Sequence, residues 1–158
     1  MSYDELLARI YAELPYLKGC LEHPSVVYIR QSDKVYITFQ SKQLVDEKAF
    51  LRMEKILRSV FPQKPLALRV VSPSLGEDFL QNIQGYKQVL VDFLRRNFPG
   101  STPWVNQIDW RCKGNLITLT FPDRFSMEFM GRENAAGRLV RAVKDIFSVD
   151  CRVELAVA

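Results

Sequence analysis

The chain has 158 residues with 47% hydrophobic and 25% charged residues, enough apolar material for one ordinary domain or two small ones with real cores, and too much for a disordered tail. A formal charge of +4 and a pI near 9 make it basic without the strong imbalance of a protein that binds nucleic acid by electrostatics alone. The acidic start "MSYDELLARIYAEL" excludes a signal peptide, and apolar runs of about seven residues or fewer exclude a spanning helix, so a cytoplasmic protein without membrane contact is expected.

Leu6, Leu7, Ile10, Tyr11 and Leu14 recur at helical spacing, and Pro15 and Gly19 end that helix. "SVVYIRQ" and "KVYITFQ", rich in β-branched and aromatic residues, form a hairpin turning at Ser32-Asp33. Between Val45 and Phe61 the residues Ala49, Phe50, Met53, Ile56, Leu57, Val60 and Phe61 share one helical face, and Pro62 stops the helix. "PLALRVV" alternates as a strand. The order is α-β-β-α-β, and "SPSLG" (72–76) then reads as a linker open to proteolysis.

The order then repeats. Tyr86, Val89, Leu90, Phe93, Leu94 and Phe98 form a helical stripe closed by Pro99-Gly100. "QIDWRC" and "NLITLTF" form a hairpin around Lys113-Gly114-Asn115, where Gly and Asn accept positive φ. A helix from about Asn134 to Phe147 is expected to bury Ala136, Leu139, Val140, Val143 and Phe147, and "CRVELAV" is the last strand. The echo of "SDKVYITFQ" in "GNLITLTFP" makes the duplication visible. The expected fold is α+β, two tandem α-β-β-α-β modules over residues 1–72 and 73–158, each a small sheet packed against helices.

A shift of 86 positions (147 − 61) carries Phe61 onto Phe147, Arg52 onto Arg138, Lys55 onto Arg141 and Arg58 onto Lys144. The six cations, Arg52, Lys55, Arg58, Arg138, Arg141 and Lys144, thus lie on the polar faces of two repeated helices. Such a stripe is either a solvated face or a docking surface for nucleic-acid phosphates or an acidic partner.

Nothing points to catalysis. His23 is the single histidine, in the loop "CLEHPS", without the second ligand a metal set needs. Cys20, Cys112 and Cys151 are widely spaced and odd in number, fitting reduced thiols rather than a disulfide framework or a zinc knuckle. Phosphate-binding glycine loops, a nucleophile elbow and a dense carboxylate group are missing, so no metal, cofactor or small-molecule substrate is expected. Trp104, Trp110, Phe125, Met127, Phe129 and Met130, near Arg124 and Arg132, are core or else an anchoring face for bases or for a partner. "GRENAAG" spaces its glycines too widely for the phosphate clamp of a KH domain.

The first module, in "LLARIY", "VVYIRQSDKVYITFQ" and "FLRMEKILRSVF", resembles the first N-terminal domain of the PolC-type DNA polymerase III alpha subunits of Gram-positive bacteria. The second, in "GNLITLTFPD", "ENAAGRLVRAVKDIF" and "CRVELAV", resembles the second N-terminal domain of the same subunits. The likeness covers nearly the whole chain and rests on element order and apolar pattern. It implies truncated KH-like folds, the first also similar to the C-terminal domain of the clamp-loader tau subunit. It further implies a fragment of a replicative polymerase with 3'-5' exonuclease whose catalytic parts lie elsewhere, so that this piece docks replisome proteins during DNA replication, with the tau subunit a candidate partner. The alternative is an auxiliary binder of single-stranded DNA or RNA.

Overall fold

The computed structural model describes residues 2–158 and divides the chain into two compact units, Met1–Pro73 and Ser74–Ala158. Each is a mixed α+β module in which a three-stranded sheet packs against helices.

The first unit opens with α1 (Tyr3–Glu13). Ser2 and Glu5 form a capping box: the Ser2 hydroxyl accepts from the Glu5 N–H, and the Glu5 carboxylate accepts from the Ser2 N–H. A 3-10 turn at Pro15–Leu17 follows. Strands β1 (Ser25–Ile29) and β2 (Lys34–Gln40) pair antiparallel, and Asp33 supplies the positive φ of 50° at the turn. Asp46 caps α2 (Glu47–Val60) by accepting from the Ala49 N–H at 2.8 Å. β3 (Leu66–Val71) then lies parallel to β2, an arrangement that needs a crossover of the length α2 supplies. The sheet order is β1-β2-β3.

Alternation along β2 sends Val35, Ile37 and Phe39 into the core with Leu66 and Leu68 of β3. Leu6, Leu7 and Ile10 of α1 and Ala49, Met53, Ile56 and Leu57 of α2 close over them. Each fully buried side chain of this size contributes roughly 1.5–3 kcal/mol, and a unit this small depends on nearly all of them.

The second unit has a longer helical entry than the sequence suggests. The expected linker 72–76 is folded: Ser72 is buried, Pro73–Leu75 form a 3-10 turn, and buried Gly76 opens α3 (Gly76–Gln81), where a Cβ would stand 2.6 Å from the Phe147 carbonyl oxygen. A 3-10 turn at Ile83–Tyr86 leads into α4 (Lys87–Asn97). β4 (Asp109–Lys113) and β5 (Leu116–Phe121) pair antiparallel around Gly114 at φ 61°. α5 (Arg124–Arg132), α6 (Ala135–Phe147) and β6 (Arg152–Val157) complete the unit, with β6 parallel to β5 in the order β4-β5-β6.

Two details depart from the sequence reading. "RFSMEFMGR" is a helix, started by Asp123, whose carboxylate accepts from the Ser126 N–H at 2.7 Å. In α6 the buried residues are Ala135, Leu139, Val143 and Phe147, while Ala136 and Val140 are half-buried. The first three lie 86 positions after buried Ala49, Met53 and Leu57 (135 − 49), so the two long helices share these three packing positions, while Phe147 is buried where Phe61 is half-buried and Ile56 is buried where Ala142 is half-buried.

Candidate docking surfaces

Register makes the two sheets comparable residue by residue. Ile37 and Leu119 occupy the same place in their central strands; Val26 lies opposite the first and Trp110 opposite the second. By the same register Val27 corresponds to Arg111, Ile29 to Lys113, Tyr36 to Thr118 and Ala67 to Glu154.

In both units one face of the sheet meets the helices and the other is open. The open face of the first sheet carries Val27, Ile29 and Tyr36, which are 50%, 41% and 37% exposed, with Lys34 and Arg69 on the same face. Lys34 Nζ stands 5.6 Å from the centre of the Tyr36 ring. All five residues of the edge strand β1 are exposed. At its end the Tyr28 hydroxyl and the Lys64 ammonium both bond Asp33, and Lys64 also covers the Tyr28 ring at 5.0 Å. The Lys64 hydrogen bond, then that of Tyr28, holds the Asp33 carboxyl below the usual carboxylate range.

The open face of the second sheet is polar. Asp109, Arg111 and Lys113 are exposed along β4; Arg111 Nε lies 2.9 Å from Asp109, and the Thr118 hydroxyl donates to Glu154 at 3.0 Å. Charges on an edge strand discourage pairing with foreign strands, a protection that β1 lacks.

The predicted basic stripes are only partly available. Arg52 and Lys55 are exposed and face a groove of about 630 Å³ between α1 and α2, where Arg9 and Glu13 of α1 form the opposite wall and Ala12 and Ile56 the apolar lining. Arg9 was not among the sequence candidates, because nothing in its own helix says which neighbour it will face. Arg58 pairs with Glu54 one turn earlier at 3.5 Å. In the second unit Arg138 is half-buried: its guanidinium sits 4.6 Å from the centre of the Phe98 ring and donates to Asn97 Oδ1 at 2.9 Å. Lys144 pairs with Asp150 at 3.0 Å, and Arg141 is exposed.

The aromatic segment divides similarly. Trp110 and Met130 are core residues, and Trp104 packs edge-on against Phe121 and Phe129. Phe125, 65% exposed, stands out on α5, and Met127, Glu128, Gly131, Arg132 and Leu155 line a shallow cleft of about 510 Å³. A second aromatic cluster, invisible in the sequence pattern, stacks Phe79 on Phe147 at 4.5 Å with Tyr86 edge-on to both. Burial, and then the hydrogen bond it donates to Asp78 at 2.6 Å, pushes the Tyr86 phenol up to about 12.

Polar groups that could suggest chemistry are tied into structure. His23 is solvent-facing and bonds Asp4 at 3.1 Å. Buried Asp92 accepts from Arg95 and Gln88. The three cysteines are unpaired, with burial pushing the Cys112 and Cys151 thiols up, the opposite of an activated nucleophile. Among the described residues no group of three or more His, Cys, Asp or Glu could hold a metal ion, and no helix is long and apolar enough to cross a membrane.

Neither the family models nor the curated proteins give a match for this chain. Among solved structures it is similar to the structure of the PrgH periplasmic domain at 12% identity and a TM-score of 0.28, covering 100% of this chain and 70% of that one, a likeness too weak to carry an argument about fold or function.

Proposed function

We propose that this chain is a non-catalytic protein-docking module that works in the cytoplasm and contacts components of the bacterial replication machinery. One observation carries the docking reading: the first sheet leaves Val27, Ile29 and Tyr36 exposed on its open face beside an edge strand without charged residues, while the duplicated positions in the second sheet hold Arg111, Lys113 and Thr118. Clustered exposed apolar residues mark interaction sites, and aromatic anchors among them carry most of the binding energy. The replication context rests on the resemblance to the N-terminal region of PolC-type polymerases, and under it the clamp-loader tau subunit is the first partner to test.

The competing reading, a binder of single-stranded DNA or RNA, is favoured by the exposed pair Arg52 and Lys55. It is weakened because Arg58, Arg138 and Lys144 are already engaged with Glu54, with Asn97 and Phe98, and with Asp150. Three remaining phosphate contacts would give a log–log salt slope of only about −2.

Titration of the full chain with purified tau subunit tests the docking reading. Val27→Asp and Tyr36→Ser should each weaken the complex about tenfold, and Arg111→Asp should change it less than about twofold. A tau complex indifferent to Val27 and Tyr36, no complex at all, or oligonucleotide binding steeper in salt than a slope of about −4 would overturn it.

A further inference from the structure

The groove between α1 and α2 is a second surface, on the helical side of the first sheet and separate from its open face. We propose that it binds an acidic amphipathic helical segment of a partner protein. Three cations, Arg9, Arg52 and Lys55, face a single carboxylate, Glu13, across about 630 Å³, within the ~300–1,000 Å³ range of ligand clefts. Charge complementarity therefore selects an anionic occupant.

The lining decides which anion. No aromatic ring lines the groove, so it offers nothing on which unpaired bases could stack, and Glu54 neutralises the next cation along the helix, Arg58, which interrupts a phosphate track. The exposed Ala12 methyl, beside the buried Ile56 and next to Ser59, provides instead a small apolar contact for an aliphatic side chain. Arg52 and Lys55 lie three residues apart on α2, about 4.5 Å along its axis, so carboxylates one turn apart on a docking helix can meet both while Arg9 closes from the other wall.

The test uses the full chain and a short synthetic helix with Glu at i and i+4 and Leu on the same face, followed by fluorescence anisotropy. Arg9→Glu combined with Arg52→Glu should weaken binding at least about tenfold, as should replacing the peptide's Glu by Gln or placing a carboxylate at the apolar contact through Ala12→Glu. Arg58→Glu and Arg141→Glu, reversals of equal size outside the groove, should change it less than about twofold. A peptide carrying Lys in place of Glu should recover binding to the reversed groove, which separates a lost interaction from a lost fold. The proposal is overturned if the acidic peptide does not bind at about 1 mM, if Arg58→Glu costs as much as the groove reversals, or if a thymidine oligonucleotide binds more tightly and loses affinity through the same variants. None of these readouts involves the tau subunit or the open sheet face, so this inference and the docking reading can fail separately.

Discussion

β1 and β4 hold the same place in two copies of one sheet, each an edge strand antiparallel to the central strand with the same register, and they are written in opposite chemistry. "SVVYI" is exposed at every position although four of its five residues are apolar. "DWRCK" alternates charge outward with Trp110 and Cys112 toward the core, and Trp110 is only 1% exposed. The second strand uses its apolar residue for folding and its charges to keep the edge solitary. The first does neither, and apolar side chains left without an internal use are the strongest reason to expect an external one.

The largest effect follows from that pair. Trp110→Ala should destabilise the second unit by about 3–5 kcal/mol, through lost burial and a cavity over Leu119. Val26→Ala, at the corresponding position, should cost less than about 1 kcal/mol, since the side chain is already 36% exposed. Urea denaturation of each variant reads the difference, and comparable losses would mean that the two edge strands are not alternatives in burial. Trp110→Phe sharpens the point: the indole Nε1 is buried with no partner, so removing it while keeping a ring should recover much of the loss.

The two long helices offer a second pair. Arg138 and Arg52 are equivalent by the 86-position shift, yet one lies over Phe98 and bonds Asn97 while the other faces open groove. Arg138→Ala should therefore cost about 1–2 kcal/mol, and Arg52→Ala less than about 0.5 kcal/mol. Thermal melts of the two variants check it. Equal, negligible losses would return Arg138 to the pool of binding cations.

The repeated order, the hairpins and both packing stripes are legible in the sequence because periods of two and 3.6 residues report burial directly: Ile37 and Phe39, or Met53 and Leu57, announce themselves. The basic stripe is legible as a pattern but not as a site. Whether Arg138 is free depends on Phe98 and Asn97, some forty residues away in sequence, and Arg9 joins Arg52 only because α1 lies beside α2. α5 is not legible as a helix because its short stripe of Phe125, Met127, Phe129 and Met130 reads as an aromatic patch. The exposure of β1 could not be foreseen either: alternation predicts which residues share a face, not whether anything covers it.

Alkaline pH gives a third, smaller contrast. Tyr86 is the single tyrosine of the second unit and the other five lie in the first. Its phenol keeps the proton to about 12 in the fold, against an ordinary value of 10.0, so the unfolded chain loses that proton first. The stabilisation is fully present below pH 10 and declines as pH rises from 10 to about 12. Ultraviolet titration of phenolate should show a late-titrating tyrosine that Tyr86→Phe removes, and that variant should lose about 1 kcal/mol at neutral pH with the hydrogen bond to Asp78. An unchanged titration curve would detach the late proton from this residue.

The smallest effect on stability is the most informative about function. Val27→Arg with Ile29→Lys writes the outward pattern of β4 onto β1, at sites that are 50% and 41% exposed, so no buried contact is lost and stability should stay within about 0.5 kcal/mol. Lys34 stands on the same face, however, so the added charges replace most of an apolar surface around Tyr36 with a cationic one. A partner that docks through aliphatic and aromatic contacts should then be lost, while one that docks by charge alone should bind more tightly. The reciprocal change, Arg111→Val with Lys113→Ile, exposes the second edge and should promote self-association, read by light scattering at rising concentration. If the first exchange leaves tau binding intact and the second leaves the chain as dispersed as before, the chemical difference between the two sheets has no bearing on what this protein binds.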